Sequence, residues 1–497
     1  MSTKPMHGGA KVRGCSHLSL GNFTQLFPDL PSWSQTCGEG PVAQCDAEKV
    51  SAFLGGAGGL MQKTDGEPAP DAGNIPAAYT FFAQFIDHDV TLDTTTKLHG
   101  KELDKGAVQD LPNLRSPSLD LDCVYGFGPE ASPFQYDESQ PGRLLVGSTV
   151  DGVHNPNDVP RNEEGRALIG DPRNDENMFV SQLQLLFLRF HNKLLIGSDF
   201  ETAQREARFH YQAVVLYDFL KRVCHPAIYE HAVKKIWAEA EKPSEKPAYP
   251  YFRDRLLDGC GRIRMPVEFS VAAYRFGHST VRSNYPVNTD FPNIELFDER
   301  FGTLGFGQVP PELTVDWSLL LDVNPGCPSV PAKAINRFLA DELFRLPNPV
   351  VGRNASDADR SLAFRNILRG YVMGLPSGQS VAKELKKKYP EIKVLPPKAF
   401  KDIEGWECAP AEPCDLSKET PLFFYLMHEG GEQSEPAQSH LGMAGSAILM
   451  EVFGTMLLNC STFLTYRDEA GKPWAPKPCI REDCELTLAD IARFVEG

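Results

Sequence analysis

The sequence predicts a large, mainly α-helical chain with long irregular connections and little β structure. Two observations carry this. Apolar residues recur at helical spacing in several separate stretches, among them Ala78, Phe81, Phe82 and Phe85, and then Phe179, Leu183, Leu186, Phe187 and Phe190. Between these stretches lie connections rich in glycine and proline, which break regular structure. At 497 residues the length allows several domains or one large helical domain with long connections. The order of the periodic stretches favours the second, with residues 1–75 as an irregular arm wrapping a catalytic domain over 76–497.

The arm is rich in Gly, Pro, Ser and small polar residues, with short apolar clusters at Phe23 to Phe27 and Val50 to Leu60. The first helix of the domain spans Ala78 to Thr91. It puts Gln84 and His88 one turn apart on one side, with His88 at the edge of the apolar stripe and Asp87 and Asp89 on either side of it. A buried imidazole between two carboxylates is unusual, because each polar group needs a partner once water is excluded. Downstream, Ser116, Ser118, Asp120 and Asp122 alternate in a loop, an oxygen-rich pattern of the kind that calcium takes. An ordinary solvated turn gives the same pattern.

Residues 127–170 read as a loop-rich excursion with a short hairpin at Arg143 to Gly147. Pro172 and the acidic residues after it start a helix running from Met178 to Leu195, which places Arg173 and Glu176 at its opening turn. Ala203 to Trp237 continues helical with a break at Pro226, and Glu239 to Pro247 is a charged linker. Pro266 then opens a helix through Val281 that carries His278. Gly277 within it costs about 1 kcal/mol against alanine, which suggests that something flat or bulky approaches the backbone beside His278. A short helix is expected from Ala332 to Leu343. The next, Ser361 to Gly374, sets Asn366 and Arg369 one turn apart, and a mid-helix asparagine calls for a tertiary hydrogen bond. Leu441 to Phe463 reads as a long buried helix with small residues at Gly442, Ala444, Gly445 and Ala447.

The balance of 66 acidic against 50 basic residues, a net charge of -16, argues against nucleic acid or an anionic membrane surface as partner. The longest apolar run, Gly445 to Leu458, is interrupted by Glu451 and is too short to span a bilayer. The N-terminus shows no apolar signal segment, so the expectation is a cytoplasmic protein; export by a route lacking such a signal is compatible with this. Twelve cysteines at scattered spacing make no metal pattern. Cys408 and Cys414, and Cys479 and Cys484, are close enough to pair locally, but the default is free thiols.

Five segments in order resemble the animal-type haem peroxidase superfamily, its bacterial members most closely. They are Phe82 to Asp89, Leu119 to Gly126, Gly170 to Glu176 continuing to Asn192, Tyr274 to His278, and Leu362 to Arg369 with Gly374 to Pro376. The resemblance implies haem b among the helices carrying His88, Glu176, His278 and Asn366. It implies His88 as distal base with Gln84 beside it, and Arg173 as distal arginine. His278 would be the iron ligand, Asn366 the acceptor of its Nδ1–H, and Arg369 a propionate contact. Asp87 and Glu176 match the carboxylates that form ester links to haem in mammalian members. Asn177 stands where some of these carry a sulfonium-forming methionine, so that link is not expected. Asp89, Ser116, Ser118 (through its carbonyl), Asp120 and Asp122 match a calcium site that would hold the catalytic helix in register.

The activity so implied is oxidation of halides, pseudohalides or small aromatic and phenolic donors by H2O2 through a ferryl intermediate. Fatty-acid dioxygenation is the alternative. Oxygenases of the superfamily carry a radical-forming tyrosine three residues before the proximal histidine, where this chain has Arg275, with Tyr274 one residue further away. A weaker alternative takes His88–Asp89 as the dyad of an HD-type metal-dependent phosphohydrolase, which would need further histidines and an aspartate nearby.

Overall fold

The computed structural model describes residues 21–497 apart from 38–41, 64–72, 245–246, 299–303, 325, 412, 435–438, 460 and 482–484. It is mainly helical, as the periodicity predicts. The longer helices are α1 (Gln44–Gly55), α2 (Ala78–Val90), α3 (Met178–Leu194), α4 (Phe200–Val214), α5 (Pro226–Glu241), α6 (Leu362–Val372), α7 (Gly378–Lys386), α8 (Leu422–Gln433), α9 (Met443–Asn459) and α10 (Leu488–Glu496). The centre is an aromatic layer in which α2, α3 and α4 meet. Phe85 stacks on Phe187 with ring centroids 4.8 Å apart, and Phe82 stacks on Phe187 at 6.3 Å. Tyr211 of α4 stands edge-on to all three rings, a geometry that aromatic quadrupoles favour. The periodic face of α2 is thus spent on packing, and its polar residues are left at the rim of that face.

The described part of the arm is more ordered than its composition suggests. Gly21–Thr24 is the central strand of a small sheet, antiparallel to Pro112–Asn113 and parallel to Met265–Pro266. The buried carboxylate of Glu268 then accepts hydrogen bonds from the backbone N–H groups of Leu26 (2.8 Å) and Phe27 (3.0 Å). α1, in a region expected to be irregular, packs along α6. Its Ala47, Val50, Ser51 and Leu54 are buried, a helical repeat interrupted by too many small and polar residues to stand out.

Several expectations are corrected. The hairpin lies at Ser148–Val150 and Val153–Asn155 instead of Arg143 to Gly147, because Asp151 and Gly152 supply the two positive φ angles that a tight turn needs. The segment after Pro266 is not an α-helix: a π turn at Glu268–Ala272 passes into a 3-10 helix at Ala273–Thr280. Ala332 to Leu343 holds only a 3-10 turn, at Asp341–Phe344. The expectation of free thiols fails at Cys37 and Cys414, which form a disulfide across 377 residues, while Cys408 and Cys479 remain free. Cys484 lies outside the described residues. Among the described residues no helix is long and apolar enough to cross a membrane.

Where α8 turns into α9, the buried Glu429 carboxylate accepts from the first-turn N–H groups of Ala444 (3.0 Å) and Gly445 (3.3 Å). Burial raises its pKa to about 8, against the opposing pull of those N–H groups. An acid raised in the folded state stabilises fully below its unfolded value of about 4.3, and the contribution falls away as the pH climbs through the folded value. Thermal unfolding followed between about pH 5 and 9 should therefore show a steeper loss of Tm for the native chain than for Glu429→Gln. Parallel curves for the two proteins would remove Glu429 from this account.

Candidate active site

Two segments build one half of the site. α2 carries Gln84, Asp87, His88 and Asp89, and a 3-10 turn at Pro172–Asp175 leads into α3, whose first N–H groups are capped by the Asn177 side chain (Val180 N, 3.0 Å). His88 is buried, and its Nδ1 lies 2.7 Å from Asn174 Oδ1. Arg173 Nη2 donates to the carbonyls of His88 (3.1 Å) and Thr91 (2.6 Å), at the C-terminal end of α2, and to Asp171 Oδ2 (2.7 Å). The Asp171 carboxylate is fully buried and also pairs with Arg115 Nε at 2.7 Å. Burial opposes its charge, but the hydrogen bond and charge of Arg173, and then Arg115, hold its pKa below the ordinary range. Burial, followed by the Arg173 charge, lowers His88 to about 4, so the imidazole is neutral near pH 7. Gln84 bridges two residues of the opposite segment: its Nε2 donates to Glu176, and its Oε1 accepts from Asn177 Nδ2 (3.1 Å). Burial raises Glu176 to about 7, with Arg173 opposing. Asp87 Oδ1 accepts from Thr91 Oγ1 (2.9 Å).

The other half is the 3-10 segment carrying His278, which packs on α2 through Thr80 and Thr280 (Oγ1 to Oγ1, 2.9 Å). Gly277 sits where an added Cβ would find only the Ala83 Cβ, at 3.8 Å. The Asn366 amide of α6 lies 2.8 Å from His278 Nδ1, but it presents Nδ2 there, the reverse of the acceptor expected. No other described group holds this amide, so a half-turn would present Oδ1. Burial, then the Arg275 charge, lowers His278 to about 3. Arg369 is engaged by Asp93 Oδ2 (2.6 Å) and the Thr96 carbonyl (3.0 Å), and it feels the charges of Arg275 and Arg365 nearby. Among the described residues neither His88 Nε2 nor His278 Nε2 has a hydrogen-bond partner.

A third group lies behind the first. Oxygens of Asp89, Asp120 and Asp122 all fall within 4.8 Å of one another. Asp89 accepts from Leu121 N (3.2 Å), and Asp122 Oδ2 accepts from Ser116 N (3.3 Å). Ser118 N donates to the Ser116 carbonyl (2.7 Å), which folds the serines over the same loop. Among the described residues Asp89 Oδ1 and Asp120 Oδ1 are buried with no hydrogen-bond partner. Burial, then the Asp120 charge, pushes Asp89 up to about 8; burial with the charges of Asp120 and Asp89 raises Asp122, and burial raises Asp120 against the pull of Arg208. A cation among them would satisfy the orphaned oxygens and remove the repulsion.

Asn174, Asp171 and Arg115 are additions to the expected set, and the hydroxyl of Tyr274, the tyrosine of the dioxygenase alternative, is buried without a partner among the described residues. Of these Asp171 had a visible signal, since an aspartate just before Pro172 is a helix-start residue and it does accept from Arg173 N (2.8 Å). Gly170 is required by packing, because a Cβ there would lie 2.6 Å from the Cys123 carbonyl. For the phosphohydrolase alternative, the group of carboxylates that could share a metal ion among the described residues is Asp89, Asp120 and Asp122, and it includes neither His88 nor a second histidine.

A family model described as animal haem peroxidase matches residues 99–389. That range holds Ser116 to Asp122, Arg173, Glu176, His278, Asn366 and Arg369 but stops short of α2. Dual oxidase of Drosophila melanogaster is 26% identical over 221 residues, 42% of this chain and 13% of that protein, so the chain spans a small part of that relative's length. Among solved structures, peroxidase A of Dictyostelium discoideum aligns over 96% of this chain and 93% of its own, at 13% identity and a TM-score of 0.61. The fatty acid alpha-dioxygenase of Oryza sativa aligns over 92% and 78%, at 16% identity and 0.58. At these identities the structural likenesses establish the fold.

The 3-10 turn bearing Arg173 is braced from behind by Arg161, whose buried guanidinium pairs with Asp158 (Nε, 2.7 Å) and Asp175 (Nη1, 2.7 Å). Arg161→Met leaves two buried carboxylates unpaired, which should cost about 3–5 kcal/mol in urea unfolding. A loss below about 1 kcal/mol, the range of an exposed pair, would mean that the triad does not brace the turn.

Proposed function

The chain belongs to the animal haem peroxidase family, and from that premise we propose that it is a haem-dependent peroxidase oxidising halides, pseudohalides or small aromatic donors with H2O2. The observation that carries this is the pair of histidines, each contacted at Nδ1 by an asparagine amide and each with Nε2 free of partners among the described residues. The donor set suits haem: His278 Nε2 would ligate the iron once Asn366 turns Oδ1 toward Nδ1–H, and Arg369 and Arg275 lie beside it for the propionates. Bound haem supplies the redox chemistry on which the O–O bond breaks. His88, neutral near pH 7, takes a proton at Nε2 from the near oxygen of H2O2 and returns it to the far oxygen, which departs as water. Arg173 Nη1, free of partners among the described residues, is available for the charge developing on that oxygen. Gln84, fixed between Glu176 and Asn177, orders the small polar space beside His88. Glu176, with its raised pKa, and Asp87 are the carboxyl groups available for ester links to haem. Asp89, Asp120 and Asp122 with Ser116 and Ser118 would hold Ca2+, tying α2 to the loop behind it.

A second reading has its own observation. The buried, unpartnered Tyr274 hydroxyl resembles a group awaiting a substrate, and two plant fatty acid alpha-dioxygenases share the fold. Oxygen uptake with a long-chain fatty acid, abolished in Tyr274→Phe, would favour it over peroxide-driven donor oxidation.

The deciding experiment is the absorption spectrum of the haem-loaded protein through one equivalent of H2O2 and then iodide or a phenol. A Soret band that shifts and returns is expected, with His88→Leu slowing the first change by roughly 10²- to 10⁴-fold while haem stays bound. A band indifferent to peroxide would refute the peroxidase reading. Chelation of calcium should lower both Tm and the peroxide rate, and added Ca2+ should restore them; indifference of both would remove the metal from the acid cluster.

A further inference from the structure

The partners of His88 continue beyond Asn174. Asn174 Oδ1 faces His88 Nδ1 at 2.7 Å, Asn174 Nδ2 donates to Gln184 Oε1 (2.8 Å), and Gln184 Nε2 donates to the Cys123 backbone carbonyl (3.2 Å). Asn174, Gln184 and Cys123 are each 0% exposed, so water does not compete for these bonds. The order of atoms follows from the far end. A carbonyl oxygen only accepts, so Gln184 must turn its NH2 toward Cys123 and its Oε1 toward Asn174. Asn174 must then turn its NH2 toward Gln184 and its Oδ1 toward the imidazole. An Oδ1 only accepts, so the ring proton of neutral His88 sits on Nδ1. Reversing any one amide sets two acceptors, or two donors, face to face in a dry interior. Among the described residues Asn366 has no such second partner, and none of them fixes its direction.

We propose that Asn174 and Gln184 form a one-directional amide relay, anchored on the Cys123 carbonyl, that holds His88 as its Nδ1–H tautomer with the Nε2 lone pair directed to the incoming proton of hydrogen peroxide. Asn174 and Gln184 are positioning residues: they act through His88 and touch no reactant. The use of the lone pair rests on the peroxidase reading, but the tautomer does not. Because Cys123 follows Asp122, the relay also fastens the ring to the turn that carries the acid cluster. A leucine at 174 fills a similar volume without an acceptor, whereas an aspartate, protonated on the oxygen that faces Gln184 Oε1, keeps its other oxygen in front of Nδ1–H. The two variants therefore separate hydrogen bonding from packing.

Two measurements on the haem-loaded full chain test this. The first is a long-range proton–nitrogen correlation spectrum of protein labelled with 15N-histidine, in the diamagnetic ferrous carbonyl form, with His88 assigned from the signals that vanish in His88→Gln. The native protein should show a protonated Nδ1 and an unprotonated Nε2 at His88. Asn174→Asp should keep that pattern, and Asn174→Leu should move the proton wholly or partly to Nε2. The second compares association of cyanide, which arrives as HCN and must surrender a proton to His88, with association of carbon monoxide, which carries none. Asn174→Leu should slow cyanide roughly 10- to 100-fold with carbon monoxide unchanged, and Asn174→Asp should recover most of the loss. If Asn174→Leu does not fold, Gln184→Leu serves, since it frees the Asn174 amide to turn and should give mixed tautomers with a smaller cyanide defect. A native His88 protonated at Nε2, or a folded Asn174→Leu with native tautomer and native cyanide rate, would overturn the relay. A native Nδ1–H tautomer in a protein that does not react with peroxide would instead sink the proposed function and leave the relay standing. A chain that takes up no haem would do the same for the function, with the tautomer read on the purified protein.

Discussion

A carboxylate taken out of water must be paired or give up its charge, and Asp171 meets this condition between two guanidinium groups. Much of the half of the site that carries His88 depends on that pairing. Asp171 fixes Arg173, which reaches across to the last carbonyls of α2 and so ties the helix of His88 to the start of α3. It also fixes Arg115, whose remaining nitrogens reach Gly170 and Asp122, at the edge of the acid cluster. One buried charge therefore sets the separation of three chain segments that are distant in sequence. Because both arginines are partly committed to backbone carbonyls, removing the carboxylate would release positions as well as charges.

The acid cluster solves the same problem in the opposite way. Asp89, Asp120 and Asp122 have burial but too little positive charge, so their pKa values rise where that of Asp171 falls. The two sites share Arg115 and the turn at Cys123, and α2 runs past both. Whatever neutralises the cluster, a proton or a cation, acts on the residue next to His88. A proton can quiet one oxygen at a time, whereas a divalent ion draws several oxygens together and would stiffen the end of α2 against the loop behind it.

The sequence made α2, α3 and α6 legible because each spends a full apolar stripe on the core, and a stripe has a period. It also showed which polar residues those helices carry, since a residue at the edge of a stripe has one direction to point. The segment of His278 was misread in kind: π and 3-10 turns bury residues at spacings close enough to an α-helix that composition does not tell them apart. The Cys37–Cys414 disulfide and the Arg161 pairs were illegible for another reason, since their partners are chosen by the folded chain and leave no local pattern. Asn174 falls between these cases. It sits inside a stretch quoted for Arg173 and Glu176, yet its role depends on Gln184 two turns into α3 and on a carbonyl 51 positions before it in the chain, so only the assembled structure gives it a direction.

The two asparagines show why one half of such a site needs the protein's instruction and the other does not. An imidazole bound to a metal has its tautomer chosen by coordination, because the ligating nitrogen must bring a lone pair and the proton is left on the other. If His278 is the ligand proposed, an amide free to turn is sufficient beside it, since it would follow the ring. An imidazole acting as a base has no such partner before the reaction begins. Its lone pair must be held in place while the site waits, by groups that keep their orientation without the substrate. A dry chain of amides ending on a backbone carbonyl can do that, because the carbonyl cannot reverse. The locked amide stands beside His88 and, among the described residues, the unlocked one beside His278, which is the arrangement that the proposed roles of base and ligand would require.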